Sequence, residues 1–312
     1  MTSAQTPASQ DGSISFDRRH TAAVLGFEAV VSAVKTAALQ YEQGEIYSPE
    51  RMVVRLAAEG VMLSMPASAP DIAIHKLVNV HPSNRRCGLP TIHGQVSVFD
   101  AETGRPMCVL DGPEVTGRRT AAVSLLGIQT FLAEPPKSVL LVGTGTQAQY
   151  HLQALSAVYP KAQIWVRGIS RRDADDFCLR HTLLHGYLSP CEPTEVPEVD
   201  VVITLTTSTV AFYDEPAVAG RLVIGVGAFK PEMAEIGKGT LSGSQIYIDD
   251  LAGGQHEAGD LIQAGVDWSG VRSLASALRE KPDLSKPIVL KSVGTAAWDL
   301  AACRVARKAL SL

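Results

Sequence analysis

The sequence predicts an α/β chain in which a doubly wound parallel sheet follows an α+β region. Three observations carry this. From Ser138 onward, short continuously apolar runs alternate with helical stretches, the pattern of parallel strands buried on both faces. One such run, Ser138 to Val142, leads straight into a glycine-rich turn and then a helix. Roughly the first 110 residues instead carry strand-like segments joined by short turns. A length of 312 residues suits two domains, or one interrupted by another.

Taken in order, the polar residues before about Ile14 read as a short flexible tail without the apolar core of a secretory signal. Gly26 to Glu42 has apolar residues at helical spacing, with Gly44 as a stop. Arg51 to Ala67 and Asp71 to Pro82 are strand material. Val96 to Asp100 and Met107 to Gly112 are two further strands, separated by a turn around Glu102 to Arg105. A helix is expected from Thr116, as N-cap, to Leu132, ended by Pro135 and Pro136. Helices follow at Gln147 to Val158 and Asp173 to Leu184. Strands are expected at Gln163 to Val166, Asp200 to Leu205, Arg221 to Val226, Gln245 to Ile248 and Ile288 to Gly294. A last helix covers Thr295 to Leu310. There is no tandem repeat.

Composition excludes several classes of function. A net charge of -4 gives no general attraction to nucleic acid or to an anionic membrane surface. No stretch approaches 18 uninterrupted apolar residues, so no transmembrane helix is expected. The five cysteines are scattered and form no C-x-x-C pair, which argues against a disulfide framework or a structural zinc site. No metal is expected, and a reducing, cytoplasmic setting follows.

The turn Gly143-Thr-Gly145-Thr146-Gln147-Ala148 fits G-x-G-x-x-A, the fingerprint of a Rossmann dinucleotide-binding domain. Gly143 permits the tight turn, Gly145 lets the backbone approach a pyrophosphate, and Ala148 allows close helix packing. The helix N-terminus offers free N–H groups to the phosphates. At the end of the second strand an acidic residue would accept the ribose hydroxyls of NADH. Here Arg167 stands in that place, with Ser170 and Arg171 close by. A guanidinium binds a 2′-phosphate, whereas a carboxylate repels it. NADPH is therefore the expected cofactor, with NADH as a weaker one. Thr206 and Thr207, at the carboxyl end of a strand, are candidates for contact with the nicotinamide or its ribose.

The stretch from Lys76 to Leu126, KLVNVHPSNRRCGLPTIHGQVSVFDAETGRPMCVLDGPEVTGRRTAAVSLL, makes the reading more specific. Together with VGTGTQAQYHLQAL and VLKSVGTAAWDLAA, it resembles the ornithine cyclodeaminase/mu-crystallin family. The resemblance runs roughly from Pro49 to Ala302. It implies a Rossmann domain over residues 116–294, plus an α+β substrate-binding and dimerisation domain made from 1–115 and 295–312. A homodimer is then expected. It also implies that Arg51 (in SPERMVV), Lys76 (in HKLVNV) and Arg119 (in GRRTAA) bind an amino-acid carboxylate. Val293 and Gly294 are placed beside the substrate. The chemistry agrees, because arginine clamps a carboxylate in a bidentate, planar fashion. Beside two arginines the Lys76 ammonium is disfavoured, which suits a role in proton transfer.

One departure separates the reactions. Cyclodeaminases of this family carry an aspartate where this sequence has Phe229, within Gly227 to Glu235. A phenyl ring neither accepts a proton nor orients water, but it makes an apolar wall for a ring. Glu232 and Glu235 are the nearby acids. The resemblance therefore points to the ketimine-reductase branch, with a cyclic imino acid as substrate and the L-amino acid as product. Three readings stay open: an NADPH-dependent cyclic imino-acid reductase, an ornithine cyclodeaminase or linear amino-acid dehydrogenase, and a crystallin-like NADPH-dependent binding protein. One methylene shifts preference by only about 1–3 kcal/mol, so the sequence does not choose between five- and six-membered rings. His75, His81 and His93 show no metal spacing and read as structural. Asp249, Asp250, Glu257 and Asp260 read as loop and cap residues.

Overall fold

The computed structural model describes residues 14–312; the tail expected before Ile14 lies outside the described residues. Two sheets organise it. The first has six strands: β1 (Ile14–Ser15), β2 (Met52–Arg55), β3 (Val61–Ala69), β4 (Ile72–Val80), β5 (Ile92–Phe99) and β6 (Pro106–Asp111), in the order β1-β6-β5-β4-β3-β2. From β2 to β6 it is an antiparallel meander, and β1 adds parallel to β6. Helices α1 (Arg18–Val24) and α2 (Phe27–Glu42) precede β2. α2 buries Phe27, Val30, Val31 and Val34, one apolar stripe at helical spacing. β4 buries every second residue, Ile72, Ile74, Lys76 and Val78. A lysine thus occupies an inward position that the alternation reserves for apolar side chains.

α3 (Gly112–Phe131) carries the chain to the second sheet. Its N-cap is Asp111, whose carboxylate accepts from Glu114 N at 2.7 Å, with proline in the first turn. The expected cap at Thr116 is corrected accordingly: Thr116 lies within the helix, because Asp111 and Pro113 already supply a complete start signal.

The second sheet has eight strands, all parallel: β7 (Ser138–Val142), β8 (Gln163–Arg167), β9 (Leu188–Pro190), β10 (Val201–Thr204), β11 (Leu222–Gly225), β12 (Gln245–Ile248), β13 (Arg272–Ser273) and β14 (Ile288–Lys291). Their order is β13-β12-β14-β11-β10-β7-β8-β9. Around them run α4 (Thr146–Val158), α5 (Arg171–His181), α6 (Lys238–Ser242), α7 (Leu251–Glu257), α8 (Gly259–Ala264) and α9 (Leu274–Arg279). α10 (Ala296–Leu310) closes the chain against α2 and α3. The doubly wound fold expected from the alternation is present. Strand order reverses at β7, which pairs with β8 on one side and β10 on the other. A crevice beyond the carboxyl ends of the strands at such a point is where open α/β sheets take ligands. No single helix among the described residues is long and apolar enough to cross a membrane.

Candidate active site

Three cations converge from different elements. Lys76 on β4 is only 2% exposed, and its Nζ lies 2.5 Å from Asp299 Oδ2. Arg119 on α3 donates from Nε to the other oxygen, Asp299 Oδ1, at 3.1 Å. Asp299, on α10, is 0% exposed. Arg51, just before β2, donates from one nitrogen to Glu257 Oε2 at 2.6 Å and to the carbonyls of Gly294 and Val293 at 2.8 and 3.3 Å. Gly294 joins the two arginines: a Cβ there would fall 2.5 Å from an Arg119 terminal nitrogen, and its φ of +77° also favours glycine. Burial pushes the Lys76 ammonium down to about 8; Asp299 opposes that, while Arg119 and Arg51 add to it.

The loop after β14 is fixed by Asp249. Its carboxylate accepts from Ser292 Oγ at 2.7 Å, Val293 N at 2.9 Å, Gly294 N at 3.1 Å and Trp298 Nε1 at 3.1 Å. The strand expected to reach Gly294 therefore stops at Lys291: Ser292 N still reaches Gly225 O, but the Val293 and Gly294 N–H groups turn toward this carboxylate. Glu257, at the end of α7, is pushed up to about 6 by burial, against the pull of Arg51.

The dinucleotide turn has the geometry its sequence requires. Gly143 adopts φ +122°, and a Cβ on it would lie 2.8 Å from Leu205 O. Gly145 caps α4 without a side-chain bond and has open space where a Cβ would be. The first turn of α4, with Thr146 and Gln147, keeps its N–H groups for an anion, and Ala148 is buried. These residues fit a dinucleotide. Arg167 ends β8, is 5% exposed, and stacks over Phe212 with 5.5 Å from its guanidinium carbon to the ring centre. Among the described residues it has no carboxylate within ion-pair distance. Ser170 forms a capping box with Asp173, and Arg171 pairs with Asp175 and Glu192, both at 2.9 Å. The capping explains why α5 starts at Arg171, ahead of the expected Asp173.

Thr206 and Thr207 follow β10, and Phe229, 36% exposed, lies in the loop after β11. Glu235 is fully engaged as a brace: it accepts from Thr206 N at 2.5 Å, Gly227 N at 2.6 Å and Thr204 Oγ1 at 2.9 Å. It does not replace the aspartate absent at position 229. Glu232 is exposed. His75 pairs with Ser64 at 2.8 Å, and no cluster of metal-binding side chains occurs among the described residues.

Sequence reading missed Asp299 and read Asp249 and Glu257 as loop or cap residues. An acid in the first turn of a helix, as Asp299 is, carries the ordinary signature of a dipole partner. Nothing in local spacing ties it to Lys76, which lies 223 residues away in sequence.

A dinucleotide turn at a strand-order switch point, joined to a buried cationic cluster, defines a nicotinamide-dependent enzyme, and the chain is an NAD(P)H-dependent oxidoreductase. It belongs to the ornithine cyclodeaminase/mu-crystallin family, whose sequence profile matches residues 18–311. Over 297 residues it is 53% identical to the Δ1-pyrroline-2-carboxylate/Δ1-piperideine-2-carboxylate reductase of Azospirillum brasilense, covering 95% of this chain and 96% of that protein. Two solved structures share the fold. The Δ1-pyrroline-2-carboxylate reductase of Thermococcus litoralis, in complex with NADH and L-proline, is 24% identical with a TM-score of 0.81, covering 96% of this chain and 97% of that one. An archaeal alanine dehydrogenase dimer with bound NAD is also 24% identical, with a TM-score of 0.83 and 96% of both chains covered.

Proposed function

We propose that this enzyme reduces cyclic imino acids, Δ1-pyrroline-2-carboxylate to L-proline and Δ1-piperideine-2-carboxylate to L-pipecolate, with NADPH preferred over NADH. The observation that carries this is the convergence of Arg51, Lys76 and Arg119 on Gly294 and Asp299, in a sequence that has Phe229 where cyclodeaminases carry an acid. The 53% identity to a reductase of these two imines supports it.

When bound, the dinucleotide supplies a hydride to C2 of the imine. The chain's own residues do the rest. Arg119 and Arg51 hold the substrate carboxylate and so select the face of C2 that is reduced. Lys76 Nζ holds a proton for the imine nitrogen, which makes C2 more electrophilic. Phe229 packs against the ring, and Val293 and Gly294 close the other side. No base for deamination is needed. Gly143, Gly145, Thr146, Gln147 and Ala148 cradle the pyrophosphate. Arg167 takes the 2′-phosphate, with Ser170 and Arg171 at its rim, and Thr206 and Thr207 lie beside the nicotinamide ribose.

In this reading residues 1–115 and 295–312 bind substrate and dimerise, and 116–294 bind the cofactor; α3 spans their junction. A homodimer accords with the apolar side chains exposed on and near the first sheet, including Tyr47, Met52, Val53, Leu89 and Ile92. A cytoplasmic setting accords with five free cysteines, four of them buried. The test is NADPH absorbance with each imine, with ornithine as control. Oxidation with the imines and no ammonia from ornithine is expected; ammonia and proline from ornithine, without imine reduction, would overturn the proposal.

A further inference from the structure

The side chain that ties two of the three cations together is Asp299. It comes from α10, near the C-terminal end of the chain, whereas Lys76 comes from β4 and Arg119 from α3. Each of its carboxylate oxygens serves one cation, Oδ2 to Lys76 and Oδ1 to Arg119. A carboxylate so placed fixes the distance between the two cations as well as their charge. The α10 helix is itself held at this height by Thr295 as N-cap and by Trp298 Nε1 bonded to Asp249.

We propose that Asp299 is a positioning residue for the reduction: it sets the Lys76 ammonium against the Arg119 guanidinium and keeps the proton on Lys76 until the imine nitrogen takes it. The proposal rests on the reductase reading above. In that step a hydrogen–Nζ bond of Lys76 breaks and a hydrogen–nitrogen bond of the substrate forms, giving an iminium. The dinucleotide, when bound, would supply the electron pair and hydrogen of the new C2–H bond, so that the iminium becomes the amine. Lys76 is left neutral beside Asp299, whose negative charge favours its recovery of a proton from water after product leaves.

The electrostatic surroundings make Asp299 necessary for this. The groups facing Lys76 are Asp299 and Cys303 from α10, Arg119 from α3 and Arg51 from the segment before β2. Of these, only Asp299 favours the ammonium; the two arginines and burial all oppose it. The Cys303 thiol is itself pushed well up by burial and stays neutral. Removing the Asp299 charge while keeping its shape leaves two buried cations facing each other without a counter-charge, and the lysine is the one able to shed its proton.

The test is Asp299→Asn in the full-length enzyme, read in two ways. Lysine labelled with 13C at Cε gives the titration of Lys76 by NMR, with its signal assigned by loss in Lys76→Met. The second reading is the pH profile of kcat/KM with NADPH and Δ1-pyrroline-2-carboxylate. Asp299→Asn is expected to lower the Lys76 midpoint by about one pH unit or more, and to move the alkaline limb of the profile down with it. An unchanged midpoint would overturn the proposal, even with activity lost. A wild-type enzyme that reduces neither imine would overturn the reductase reading alone, since the NMR titration still reports on Asp299. If Asp299→Asn does not fold, Lys76→Met combined with Asp299→Asn is expected to regain stability by removing the stranded cation. A double variant as unfolded as the single one would contradict the pairing.

Discussion

At Arg167 the β8 strand ends in a buried guanidinium stacked on Phe212, where a cofactor without a 2′-phosphate would be met by a carboxylate. Arg167→Asp is expected to raise KM for NADPH at least about tenfold, roughly 1.4 kcal/mol, and to leave NADH use nearly unchanged. Equal losses with both cofactors would remove the assignment. Lys76 offers a second test at this scale. With its ammonium held near 8, kcat/KM is expected to fall as pH rises through that value if Lys76 is the proton donor proposed above. Lys76→Met is expected to lower kcat about 100-fold or more; a change confined to KM would exclude a proton role. Arg51, Lys76 and Arg119 were legible through their motifs, and the structure gathers them around Gly294 and Asp299. Asp299 was not legible, because its partners are distant in sequence and its local setting is an ordinary helix start.

Elements with a clear period or a continuous apolar run read well, including the four-residue β12; several short ones without either did not. α2, β7, α4, β8 and α10 have strong periodicity or sharp caps, and their spans agree closely with the sequence pattern. β1, β9 and the helices α6, α8 and α9 have two to six residues each, too few for a period to register. The packing of α3 on α4 yields its own prediction. His151 on α4 is buried and neutral: Nδ1 donates to Gln147 O at 2.8 Å, and Nε2 accepts from Ser124 Oγ on α3 at 2.9 Å. Burial pushes this imidazole down to about 4, below its ordinary 6.5. The native state thus binds the proton less readily than the unfolded chain. The resulting stability is complete above pH 6.5 and is lost as pH falls toward 4, at about 1 kcal/mol per pH unit. His151→Gln is expected to flatten the fall of Tm between pH 6.5 and 4.5; an unchanged slope would place the acid sensitivity elsewhere.

For the whole molecule, two sheets of different origin meet at one cationic cluster. The first sheet supplies Lys76, α3 supplies Arg119, α10 returns with Asp299, the loop after β14 brings Gly294, and the end of α7 brings Glu257. Alternation of strands and helices revealed the second sheet, but no local pattern could place the C-terminal helix against the first. The exposed apolar residues near β2 lead to an expectation at this scale. Light scattering is expected to give twice the chain mass, and Met52→Lys with Val53→Lys is expected to shift it toward one chain. A monomeric wild type would remove the dimer.

The most direct measurement of the reaction is the fate of a label. NADPH deuterated at its transferable position, incubated with the enzyme and Δ1-pyrroline-2-carboxylate, is expected to yield L-proline carrying deuterium at C2. Proline without the label, or labelled proline of the opposite hand, would contradict the placement of hydride, carboxylate clamp and ring wall described here.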